Sequence, residues 1–318
     1  MRRGTPGFDA VDHLLALDPG ARGIASFFVP GAAGAAARAL RSARRVLVVT
    51  GFCVPPGLSE TDGPPGAAVL GRALRRLGAR VRYVTDAPVV APLAAALEAL
   101  QEPAEVEVFD GAAAALLARE RPTHLVAIER PGRARSGDYL SARGESVAPW
   151  NSPIDELFFV EGGLDGPLRG LPQDRLRRQS RRSTTRSRSR APGPITIAVG
   201  DGGNEIGMGN VHARLARVSP LMAKIASVVR VDHLVVAGTS NWGAYGVVAA
   251  LERLARGPLL HTPADERRLV EACVKAGAVD GIVRHAEPTV DGLPLDAHAA
   301  FVELLRLAGS PRGMMRRP

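Results

Sequence analysis

Cysteine is almost missing from this 318-residue chain: Cys53 and Cys273 stand 220 positions apart. Two isolated thiols exclude a disulfide framework and a cysteine-built zinc site, and both are expected as buried, unreactive side chains. Lysine is as scarce, with only Lys224 and Lys275, so nearly every cation is an arginine and no arginine is singled out by its type alone. No run reaches the roughly 18 to 20 apolar residues of a membrane helix, and the opening MRRGTPGFDAVDHLL has no long apolar stretch behind its arginines. The expectation is no membrane partner and cytoplasmic residence. Three phosphate signatures are also missing. There is no P-loop, no G-x-G-x-x-G after the first strand, and no D-x-D at that strand's end, where TGFCVPPG stands instead.

What is present is a chain 46% hydrophobic, enough for a full core, and a net charge of +9. The charge is local. RLRRQSRRSTTRSRSR, residues 175 to 190, holds eight arginines and no acid, and without them the rest of the chain stands at +1. No interleaved aromatics or nucleic-acid-binding motif accompany this run, which argues for a solvated loop and against a nucleic-acid partner.

Short β-branched runs at 45–50, 79–85, 104–109, 123–129, 195–200 and 232–238 alternate with helical Ala/Leu/Arg spacing at 66–77, 89–100, 111–120, 204–217, 241–256 and 264–276. An outer helix within 31–43 and a closing one at 295–308 complete the pattern. The fold class expected is α/β, a doubly wound, mostly parallel sheet with helices on both faces, forming one domain over 1–318. A disordered Arg/Ser-rich insertion is expected at 162–193. Such sheets bind ligands beyond the carboxyl ends of their strands.

Four strand ends carry polar chemistry. After the first strand, Thr61, Asp62, Gly63 and two prolines precede a helix; Asp62 or a neighbour is expected to cap it, with free amides offering an anion site. After THLVAIE, the loop holds Glu129, Arg130, Arg133, Asp138, Tyr139 and Arg143, an alternation of charge suited to a substrate with both carboxylate and ammonium groups, or to internal ion pairs. GDGGNEIGMGNV, residues 200 to 211, brings Asp201, Gly202, Gly203, Asn204 and Glu205 to an expected helix start, with Gly207 and Gly209 implying a close approach by another backbone or a ligand. Ser240 and Asn241 open the helix after DHLVVAG, beside Trp242 and Tyr245.

These residues resemble the D-glutamate cyclase family, in the catalytic domain that stands alone in many bacteria. The resemblance lies in TGF (50–52) with ETDGPPGA (60–67), VTD (84–86), IERPGRARSGDY (128–139) with ARGE (142–145), GDGGNEIGMGNV, and VDHLVVAGTSNWGAYG (231–246). It implies a carbon–oxygen lyase that converts D-glutamate to 5-oxo-D-proline and water. It also implies a substrate surrounded by Thr61, Asp62, Glu129, Arg130, Asp138, Asp201, Asn204, Glu205, Ser240 and Asn241. On that reading Asp201 or Glu205 is the base, and Arg130 with amides from 62–66 or 202–204, including Gly63, Gly202 and Gly203, stabilises the oxyanion. An intramolecular condensation requires no cofactor; a divalent metal stays open, as does the oligomeric state. The rival reading is a metal-dependent phosphohydrolase built on the GDGGNE loop.

Overall fold

The computed structural model describes residues 9–159 and 193–309. The insertion expected at 162–193 therefore lies, but for its last residue, outside the described residues. Six strands build the centre: β1 (Arg45–Thr50), β2 (Arg80–Thr85), β3 (Val106–Val108), β4 (His124–Ile128), β5 (Ile195–Gly200) and β6 (His233–Val236). Every neighbouring pair is parallel, in the order β3-β2-β1-β4-β5-β6. The interior strands are covered on both sides. All five residues of β4, and Val46 to Thr50 of β1, are buried, which is why they read as unbroken apolar runs instead of alternating ones. The edge run expected at 104–109 shrinks to three residues, the sheet's least buried strand.

Helices α1 (Ala10–Leu15) and α2 (Ala32–Leu40) precede the sheet. The crossovers and cover then follow as α3 (Pro64–Arg76), α4 (Ala87–Ala99), α5 (Ala113–Glu120), α6 (His212–Val218), α7 (Pro220–Ile225), α8 (Ser240–Ala255), α9 (Pro263–Lys275) and α10 (Leu295–Gly309). The expected doubly wound α/β architecture is what the chain forms. α8 is apolar nearly all round and buried over its first twelve residues, because it packs on α2, α3 and α10 while also touching the sheet. One continuous core runs from Val11 to Leu305.

The helix expected at 204–217 starts late. Residues 204–211 form turns and a short 3-10 segment at Met208–Asn210, and α6 begins only at His212. The two glycines explain it. Gly207 takes φ +96°, and a Cβ there would sit 2.5 Å from that of Ala198 on β5. A Cβ on Gly209 would lie 2.5 Å from the Val229 carbonyl oxygen and 2.6 Å from that of Val228. The close approach is therefore by the Ala198 side chain at Gly207 and by backbone at Gly209, and it bends the chain away from helix.

The topology sets the site. From β1 the chain winds outward through β2 to β3, then returns to β4 on the other flank of β1 and continues to β5 and β6. Winding direction reverses between β1 and β4, where the loops diverge and leave a crevice. Thr50 is opposite Ile128, Ile128 opposite Val199, and Gly200 opposite Val236, so the segments leaving four strands emerge side by side.

Candidate active site

At the crevice, α3 and α8 meet N-terminus to N-terminus. Two positive helix ends repel each other, and both present amides with no partner inside the helix. Each helix is satisfied by the other's sequence. Asp62, before α3, accepts from the backbone of Ser240 (Oδ2, 2.8 Å) and Asn241 (Oδ1, 2.8 Å) in α8. Asn241 in turn accepts at Oδ1 from Gly63 (3.0 Å) and Gly66 (2.8 Å), and donates through Nδ2 to the Thr61 carbonyl at 3.2 Å. Gly66 is required at the crossing, since a Cβ there would lie 2.9 Å from Asn241 Oδ1 and 3.2 Å from its Cα. Two expectations are corrected by this exchange. Asp62 caps α8, not α3, and the amides of Gly63 and Gly66 are committed to Asn241 instead of facing an anion.

The loop after β5 is also folded on its own backbone. Both oxygens of Glu205 are spent on it: Oε1 accepts from Asp201 (3.1 Å) and Gly202 (2.5 Å), and Oε2 from Gly203 (2.8 Å). A carboxylate holding three amides shapes the turn, so neither Glu205 as base nor the Gly202 and Gly203 amides as oxyanion donors agrees with this geometry. Asn204 ties the loop to the Leu140 carbonyl through Nδ2 at 2.7 Å. Asp201 is different. Its Oδ1 meets Arg22 Nη1 at 2.5 Å, while its buried Oδ2 has no hydrogen-bond partner among the described residues.

The loop after β4 divides. Glu129, buried and in the left-handed region at φ +43°, points into the crevice and accepts from Ser240 Oγ at 2.5 Å. Arg130 turns away: its guanidinium, 0% exposed, pairs with Asp86 and donates to the carbonyls of Gly51 (3.2 Å) and Ser152 (2.6 Å). It pins three loops together, and its expected role as oxyanion donor is replaced by that one. Arg133 forms a bidentate pair with Asp155, which also accepts from the Tyr139 hydroxyl at 2.5 Å. Asp138 is spent on its own loop, accepting from the Tyr139 amide and Ser146 Oγ, and does not reach the crevice. Thr61 faces the C-terminal segment, donating from Oγ1 to the Thr289 carbonyl at 2.8 Å.

What converges is acid. Asp62, Glu129 and Asp201, one from each loop, place carboxylate oxygens within 4.8 Å of one another, all buried. Three further residues complete the group. Arg22 bridges Asp201 and Asp291 at 2.5 and 2.6 Å, and Glu60 stands beside Glu129. Burial, with Asp291 next, pushes Asp62 up to about 8 against the amides of Asn241 and Ser240. Burial and the neighbouring acids likewise hold Glu60 and Glu129 well above the carboxylate range. Asp201 is raised by burial even with Arg22 drawing it down. Arg22 is the one cation paired within this group among the described residues. Such a site attracts ammonium or metal cations, and its carboxyls are protonated far more readily than free ones.

The model of the D-glutamate cyclase-like, C-terminal family matches residues 11–166 and 182–306. The chain belongs to the D-glutamate cyclase-like family. A relative within reach of that assignment is the mitochondrial D-glutamate cyclase of Homo sapiens, 30% identical over 341 residues that cover 93% of this chain and 50% of the human protein. The chain thus spans about half the length of that relative. Among solved structures, an exopolyphosphatase-related protein from Bacteroides fragilis aligns over 88% of this chain and 57% of its own at 7% identity, with a TM-score of 0.33, too low to carry an argument. Among the described residues, no helix is long and apolar enough to cross a membrane. Within this cyclase-like domain the acids of three family-resembling loops meet, while Arg130, Asp138 and Glu205 from the same motifs serve the scaffold.

Proposed function

We propose that this cyclase-like protein condenses D-glutamate to 5-oxo-D-proline and water. Ring closure forms one bond from the α-nitrogen to the side-chain carboxyl carbon and breaks one carbon–oxygen bond of that carboxyl. Two protons leave nitrogen and depart with oxygen as water, so atoms balance without oxidant, reductant or nucleotide. The protein's work is to hold the chain bent, neutralise the carboxyl and relocate those protons.

The observation that carries the reading is Asp201 Oδ2: buried, without a partner, beside an acid cluster suited to an ammonium group. Its raised proton affinity makes it the base for the α-ammonium. Glu129, held by Ser240 with Glu60 as a neighbour, is the proton donor to the departing oxygen, since burial among other carboxylates holds both well above the usual carboxylate range. Asp62 fixes the floor of the site through its bonds to α8. The phosphohydrolase reading is not favoured: no carboxylate follows β1 directly, and Glu205 in the GDGGNE loop is turned onto its own backbone.

The test is incubation of the purified full chain with D-glutamate, L-glutamate or p-nitrophenyl phosphate, with and without divalent metal, followed by chiral chromatography. The result expected is loss of D-glutamate with matching 5-oxoproline, and a fall of about 100-fold or more in turnover for Asp201→Asn. Phosphate release without 5-oxoproline, or full turnover in that variant, overturns the reading.

A further inference from the structure

The charge of the site does not balance for the substrate proposed above. Asp62, Glu129 and Asp201 face one another across less than 4.8 Å, with Glu60 and Asp291 beside them and Arg22 as the paired cation. A dicarboxylic substrate brings two more negative groups. Like charges at these separations repel by several kcal/mol at the effective dielectric of a protein interior. Protons can quiet the carboxyls of the protein, but they supply nothing that draws a substrate carboxylate in.

Two buried oxygens point to a missing partner. Asp201 and Asp291 are each held at one oxygen by Arg22, and the other oxygen of each, Oδ2, has no hydrogen-bond partner among the described residues. The Asp291 side chain is 9% exposed and comes from a hairpin near the C-terminal end of the fold, outside the three-acid group. Buried carboxylate oxygens are ordinarily satisfied, and a pair left open at the rim of an acid cluster is what a cation would complete.

We propose that Asp62, Glu129 and Asp201 form a binding site for one divalent cation of the magnesium or manganese class. The dimensions allow one ion. The widest separation of two oxygens on one Mg2+ is twice the metal–oxygen bond, about 4.2 Å, so oxygens lying within 4.8 Å of one another close on a single ion once the side chains draw together onto it. The donors are all carboxylate, with no histidine or cysteine in the group, a set that suits hard ions over zinc or copper. Each donor is fixed in place: Asp62 and Glu129 both by Ser240, through its amide and its hydroxyl, and Asp201 by the turn built on Glu205. When bound, the ion offsets two negative charges, keeps Asp201 and Glu129 ionised in place of the protonated Glu129 of the metal-free reading, and leaves coordination positions for a substrate carboxylate oxygen. That use rests on the cyclase reading, whereas the site itself does not.

The experiment reads metal alone. Full-length protein, stripped with a chelator and dialysed, is titrated with Mn2+ while the free-ion electron paramagnetic resonance signal is followed, and Mg2+ is added as competitor. One Mn2+ per chain is expected, displaced by Mg2+, with affinity at least tenfold weaker in Asp201→Asn and in Glu129→Gln. Circular dichroism checks that both variants are folded. Absence of Mn2+ binding at millimolar concentration by the folded wild-type chain overturns the site, as does undiminished binding in both folded variants. If either variant does not fold, the wild-type titration decides. 5-Oxoproline formation is measured separately: cyclisation by the stripped protein overturns the use of the metal in the reaction and leaves the reaction standing, and Mn2+ binding without cyclisation leaves the site standing and overturns the reaction.

Discussion

Replacing Asn241 by alanine tests the claim that α3 and α8 are held by exchanged caps. The substitution removes the acceptor of the Gly66 amide and the donor to the Thr61 carbonyl, all buried, while the Gly63 amide keeps Asp62 Oδ1 at 3.1 Å. A buried amide left without a partner costs about 1 to 3 kcal/mol. One amide and one carbonyl together, with partial relief from water entering the space, give roughly 2 to 4 kcal/mol. That is a large part of the 5 to 15 kcal/mol that ordinarily separates folded from unfolded chains. At roughly 2 to 4 °C per kcal/mol for a protein of this size range, Tm should fall by about 4 to 16 °C. Urea and thermal denaturation followed by circular dichroism at pH 7.5 provide the measurement. A loss below about 1 kcal/mol would mean that both helix ends are satisfied without Asn241, and the reciprocal cap would have to be abandoned.

Three further outcomes are expected. In metal-free protein the raised carboxyls make stability depend on pH: native Asp62 keeps its proton up to about 8 whereas the unfolded residue loses it near 3.8, so stability present below 3.8 is lost as pH rises toward 8. Tm should therefore drop between pH 6 and 8.5, less so in Asp62→Asn, and a flat or rising Tm in the wild type refutes the burial argument. Gly209→Ala should cost at least about 2 kcal/mol, because its Cβ has no room against the carbonyls of Val228 and Val229; unchanged urea midpoints would contradict the contact. Arg130→Met should leave Asp86 as a buried, unpaired charge at a cost of about 3 to 5 kcal/mol, and Asp86→Asn in the same chain should recover part of it; additive losses would show that the two are not coupled.

The sheet was legible because parallel interior strands are buried on both faces, so β1 and β4 announce themselves as apolar runs between turn residues. The helix expected from 204 failed for a reason of tertiary contact: Gly207 and Gly209 were rightly seen as costly in a helix, but only the proximity of Ala198, Val228 and Val229 shows that they replace it. The site was legible as loops and not as roles. Spacing brings Asp62, Glu129 and Asp201 to strand ends, yet nothing in the order of residues distinguishes Glu205, which folds onto amides two to four positions away, from Asp201, which faces the crevice. Arg22 was hidden by composition, one arginine among many in a chain with two lysines. Its one local sign is Asp18, whose carboxylate gathers the amides of Arg22, Gly23 and Ile24 and so fixes the turn that presents it. Glu60 opens the ETDGPPGA motif without being singled out in it, and Asp291 carries no comparable sign.

Arg22 and Asp291, which meet across the acid cluster, stand near opposite ends of the described chain. For a polypeptide made from its amino end, this imposes an order of events. β1 and its neighbours can pair while synthesis continues, but the ring of charge around Asp201 closes only after the segment bearing Asp291 has left the ribosome. Until then its acids remain in contact with water, and the burial that raises their proton affinity is deferred until that segment has been made.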